Sequence, residues 1–81
     1  MTKEVFVGID VAKDKLDIAV HEADMFWTIE NKADDIQAFV DDMKSLSPTL
    51  IVLEATGGYE MEVAAALYLE GLPVSISLNS S

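Results

Sequence analysis

Two carboxylates, Asp10 and Glu54, carry the most specific chemistry this sequence offers. Each stands at the C-terminal tip of an apolar run: Val5-Phe6-Val7-Gly8-Ile9 leads to Asp10, and Leu50-Ile51-Val52-Leu53 leads to Glu54. An acid at the end of a buried strand is costly unless water, a donor or a cation meets it. Two such tips brought together make a small all-oxygen anionic site, suited to a hard divalent ion such as Mg²⁺. The other reading of each acid is a solvated strand end beside a turn. Gly8 stands two residues before Asp10 on the same strand face, so open space is expected beside that carboxylate.

The elements that must position these acids follow from periodicity. Val5, Val7 and Ile9 alternate with Phe6, Gly8 and Asp10, which predicts a strand with two largely apolar faces. Leu16, Ile18 and Val20 alternate with Asp17, Ala19 and His21, which predicts a second, antiparallel strand. Met25 to Ile29 completes a three-stranded meander through a turn near Glu22-Ala23-Asp24. From Asn31 the period lengthens, and Ile36, Phe39, Val40, Met43 and Leu46 predict an amphipathic helix stopped by Ser47-Pro48. Leu50 to Leu53 reads as a parallel strand covered on both faces. A second helix from about Tyr59 to Glu70 is closed by Gly71 and Pro73. Val74, Ile76 and Leu78 then alternate with polar residues as a last, half-covered strand.

The order β-β-β-α-β-α-β, with right-handed crossovers, gives an α/β fold whose mixed sheet runs 3-2-1-4-5. In that order Asp10 and Glu54 lie on neighbouring parallel strands about 4.8 Å apart. Both lie at the C-terminal edge, where ligand sites of open α/β sheets gather.

Length and composition set the limits. Eighty-one residues make one small domain, 1–81, and a hydrophobic fraction of 51% argues against disorder. There is no cysteine, hence no disulfide, no thiol nucleophile and no cysteine-held zinc. No signal-peptide pattern opens the chain, and its longest apolar run, Val63 to Leu69, is far short of the ~20 residues a bilayer needs. A cytoplasmic protein with no membrane partner is expected. The formal net charge of −10 has the wrong sign for a stand-alone nucleic-acid binder. Contact with nucleic acid would therefore need metal ions, other segments or partner subunits.

With these residues placed, a resemblance emerges. Val7-Gly8-Ile9-Asp10-Val11-Ala12-Lys13-Asp14-Lys15-Leu16-Asp17-Ile18-Ala19-Val20 resembles the opening strand and hairpin of the DEDD-type insertion-sequence transposases, the insertion sequence 110 family. Val52-Leu53-Glu54-Ala55-Thr56-Gly57-Gly58-Tyr59-Glu60 resembles that family's second motif, and the second helix with Gly71-Leu72-Pro73-Val74 resembles the family's next segment. The resemblance implies an RNase H-like nuclease domain, similar to Holliday-junction resolvases, whose carboxylates bind Mg²⁺. It also implies DNA as substrate, in some members a guide RNA, and a separate serine-bearing domain. Asp10 matches the first acid of the tetrad and Glu54 the second. The third and fourth belong to a later segment, so the chain is expected to be a truncated amino-terminal portion, inactive alone.

Thr56-Gly57-Gly58 before a helix could cradle a phosphate on free N–H groups, although a tight turn capped by Thr56 is the favoured reading. Lys13 could touch a phosphate too, but beside Asp14 and Asp17 it and Lys15 read as a solvated turn. His21 stands alone as an exposed strand histidine, and Trp27 reads as packing. Asp34, Asp35, Asp41 and Asp42 read as helix-dipole and solvated-face charges. Two other functions compete with the transposase reading. An actin-like or sugar-kinase nucleotide-binding domain shares the strand-Asp-hairpin opening, but Val11-Ala12-Lys13-Asp14 lacks its Gly/Thr-rich phosphate hairpin. A non-enzymatic module could instead pair through an open sheet edge as a homo-oligomer.

Overall fold

The computed structural model describes residues 4–55 and 57–78. Strands β1 (Phe6–Val11), β2 (Lys15–Val20) and β3 (Met25–Glu30) form the meander. They are followed by α1 (Ala33–Leu46), β4 (Leu50–Ala55), α2 (Met61–Leu69) and β5 (Val74–Leu78). The fold is α/β, with one five-stranded mixed sheet in the order β3-β2-β1-β4-β5. β1 pairs antiparallel with β2 and parallel with β4, which in turn pairs parallel with β5. Among the described residues no helix is long and apolar enough to cross a membrane.

Strand alternation divides the sheet's side chains cleanly. Val7, Ile9 and Val11 from β1, Leu16, Ile18 and Val20 from β2, and Ile51, Leu53 and Ala55 from β4 point to one face and are buried. Ile36, Phe39, Val40 and Met43 of α1 and Val63 and Leu67 of α2 close over them. Trp27 packs from β3 onto Phe39, with ring centroids 6.4 Å apart and planes tilted by 59°. Its role is packing, as read from the sequence.

Both helices lie on this one face and touch each other, so the fold has two layers. Among the described residues nothing covers the opposite face. Leu50 and Val52 are half-buried there, not sandwiched as their continuous apolar run with Ile51 and Leu53 predicts. The physical reason is direction: consecutive crossovers from β3 to β4 and β4 to β5 step the same way across the sheet, and one handedness then puts both helices on one side.

Helix ends are set by backbone geometry. α1 stops at Ser47, which takes a left-handed conformation (φ 52°) and donates its N–H to the Met43 carbonyl. Buried Pro48 comes next. α2 starts at Met61, two residues later than the sequence predicts, because Gly57 and Gly58 both take positive φ (79° and 84°) and hold the chain in a turn. At Gly57 the positive φ favours glycine, and an added Cβ would also stand 3.2 Å from the exposed Tyr59 ring, which would have to shift slightly.

Candidate functional site

β1 and β4 run side by side and in register, so that Asp10 stands directly opposite Glu54. The two acids the sequence singles out are thus brought together, on the uncovered face and at the C-terminal edge. Both are solvent-exposed, and among the described residues neither side chain takes part in a hydrogen bond or ion pair.

The register reveals a residue that sequence reasoning passed over. Asp17 of β2 stands opposite Asp10 on its other side. One step further, Thr28 of β3 stands opposite Asp17 and donates its hydroxyl to Asp17 Oδ1 at 2.7 Å. Ser77 of β5 stands opposite Glu54. Thr28, Asp17, Asp10, Glu54 and Ser77 therefore form a single polar row across all five strands. Three adjacent acids in such a row repel one another, since like charges directly opposite are destabilising.

Behind the row the uncovered face forms an open depression of about 480 Å³, floored by Phe6, Gly8, Ala19, Phe26 and Val52. His21 lies in the turn after β2, one residue past the strand, and lines the same depression. Its Nε2 is 3.7 Å from where a Cβ on Gly8 would sit. The space beside Asp10 that Gly8 leaves is thus bordered by an imidazole, a neighbour the sequence reading did not give it.

Three loops meet at this edge, and Asn31 ties them. Its side-chain amide donates to the Ala12 carbonyl in the β1–β2 turn at 2.9 Å and to the Tyr59 carbonyl before α2 at 3.2 Å. Glu60, at the N-cap of α2, is buried, and its Oε1 has no hydrogen-bond partner. A buried carboxylate there opposes any second anion, which favours the turn reading of Gly57-Gly58 over a phosphate cradle. Thr56 lies outside the described residues. Lys13 is exposed in the β1–β2 turn, away from any ion pair among the described residues.

The donor chemistry of Asp10 and Glu54 fits a hard divalent ion, which takes carboxylate oxygen and keeps several waters. The donor count is incomplete. Among the described residues no three acidic, imidazole or thiol groups converge closely enough to hold a metal. No protein-family profile matches this chain, and neither does any curated protein. Fold and site therefore rest on their own geometry.

Proposed function

We propose that this chain is the nuclease-side portion of a DEDD-type DNA transposase or recombinase, with Asp10 and Glu54 as ligands for Mg²⁺. The observation that carries the reading is the in-register pairing of the two acids on adjacent parallel strands, at the C-terminal edge of a 3-2-1-4-5 sheet. Mg²⁺ at such a site supplies Lewis-acid stabilisation of a phosphodiester and a more acidic bound water. The chain's own part is to hold two oxygens in fixed register on a rigid sheet. Asn31 keeps the surrounding loops together. Two carboxylates alone leave the coordination shell to water, so affinity for Mg²⁺ falls in the millimolar range or weaker, and phosphodiester cleavage requires further acids. With a net charge of −10, contact with DNA depends on bound cations or on basic surfaces supplied by a partner.

Titration with Mg²⁺ followed by backbone amide NMR tests the reading. Signals near Asp10 and Glu54 shift first, and Asp10→Asn abolishes those shifts. Shifts confined to Asp34, Asp35, Asp41 and Asp42 would sink it. The nucleotide-binding alternative gains nothing from the hairpin, because Ala12 N–H bonds Lys15 O at 3.0 Å and closes a tight turn without glycine.

A further inference from the structure

α2 carries one charge, Glu62 in its first turn, and is otherwise apolar apart from the Tyr68 hydroxyl: Met61, Val63, the three alanines 64–66, Leu67 and Leu69 make up the rest. A helix of that kind belongs in an interior. Only Val63 and Leu67 are buried here, while Met61, Tyr68 and Leu69 are 71%, 75% and 84% exposed. Beside it lies β5, an outer strand of the sheet, with Ile76 and Leu78 exposed on the helix side. A groove of about 440 Å³ runs between the two elements, lined by Met61, Ala64, Ala65, Tyr68, Val74 and Ile76, none of them charged.

Among the described residues the strand edge here is open as well. The Ile51 N–H donates to the Pro73 carbonyl at 2.8 Å, and Ile51 is in register with Val74. In a parallel ladder this turns Pro73, Ser75 and Ser77 toward β4, and leaves the N–H and C=O groups of Val74, Ile76 and Leu78 facing outward. β5 has no charge, proline or bulge to blunt that edge. The opposite edge is guarded. β3 ends on Glu30, whose N–H is taken by Asp35 at 3.0 Å and whose carboxylate pairs with Lys32 at 2.8 Å.

We propose that a second copy of this chain covers this surface, β5 pairing antiparallel with its partner's β5 about a twofold axis beside Ile76, and α2 packing on its partner's α2. Charge selects this surface over the other apolar one. Two copies meeting on the uncovered sheet face would stack Asp10, Asp17 and Glu54 against the same acids, whereas the α2–β5 groove carries no charge. Area is adequate too. Met61, Tyr68, Ile76 and Leu78 expose on the order of 500 Å² together, against the about 800 Å² per partner of a stable interface, and Ala64, Ala65 and the strand edge make up the difference. Geometry fixes the contacts. With Ile76 opposite its symmetry mate, Val74 faces the partner's Leu78 on the helix side, and Ser75 faces the partner's Ser77 on the other. The result is a continuous ten-stranded sheet with four helices on one face. It leaves the Asp10–Glu54 site open and holds or fails independently of the metal reading.

Sedimentation equilibrium of the full chain from about 1 μM to about 1 mM is the test. A dimer with a micromolar dissociation constant is expected. Tyr68→Lys, at a groove position too exposed to matter to the monomer, weakens it at least tenfold. Ile76→Pro does the same without touching the β4–β5 ladder, because the N–H it removes faces outward. Phe26→Lys on the uncovered face leaves the dimer unchanged, and the amides of Ile76 and Leu78 exchange more slowly as concentration rises. A chain monomeric throughout overturns the proposal, as does a dimer lost in Phe26→Lys but kept in both Tyr68→Lys and Ile76→Pro.

Discussion

The two faces of the sheet are built from the same strands and come out opposite. β1 sends Val7, Ile9 and Val11 under the helices, and Phe6, Gly8 and Asp10 to the uncovered side. β4 does the same with Ile51, Leu53 and Ala55 against Leu50, Val52 and Glu54. One face is tightly filled and carries no charge; the other is half-wet and carries three adjacent acids. The buried core lies on the first and the exposed acids on the second. A two-residue period is what permits this, since neighbours in sequence never compete for the same environment.

Substitutions at consecutive positions test this division most sharply. Leu53→Ala empties a fully buried site and should lower unfolding free energy by about 2–5 kcal/mol in urea melts. Val52→Ala, one residue away on the uncovered face, should cost well under half as much; equal losses would mean that both faces are core. Asn31→Ala removes two donors that tie the loops at the acidic edge, and should cost about 1 kcal/mol while loosening the β1–β2 turn in amide exchange.

Asp10→Asn should do something the covered face never does. It relieves repulsion from Asp17 and Glu54 and should raise stability by roughly 0.2–1 kcal/mol, while removing any stabilisation by millimolar Mg²⁺. A loss of stability in that variant would mean that Asp10 has a structural partner. The smallest effect is expected at Lys44, fully exposed, which pairs with Glu70 at 2.9 Å between α1 and the end of α2. The hydrogen bond and charge of Glu70 raise the Lys44 pKa above its ordinary 10.5. The pair's contribution is therefore present at neutral pH and fades as pH rises through that raised value. Lys44→Met should leave thermal melts at pH 7 nearly unchanged.

Element types, strand order and the meeting of Asp10 with Glu54 were legible because period and chain direction settle them. Asp17 was not, although the same alternation contains it. Its place opposite Asp10 depends on where the hairpin closes, and Val11 pairing with Leu16 sets that register. Without it, Asp17 reads as one more charge beside Lys13 and Lys15. Glu60 escaped notice for a different reason. An acid at a helix start is common on electrostatic grounds, and nothing in the sequence announces its burial. The uncovered face was missed because an apolar run such as Leu50 to Leu53 does not say which of its sides a helix will reach.

The register that assembles the polar row also polices how the hairpin folds. Asp10 sits between Ile9 and Val11, and Asp17 between Leu16 and Ile18, all four apolar neighbours buried. A slip of β1 or β2 by one residue turns a carboxylate into the space beneath the helices, where it finds no donor and no water. Misaligned pairings are therefore disfavoured against the native one. The acids specify the strand register independently of any ion they hold.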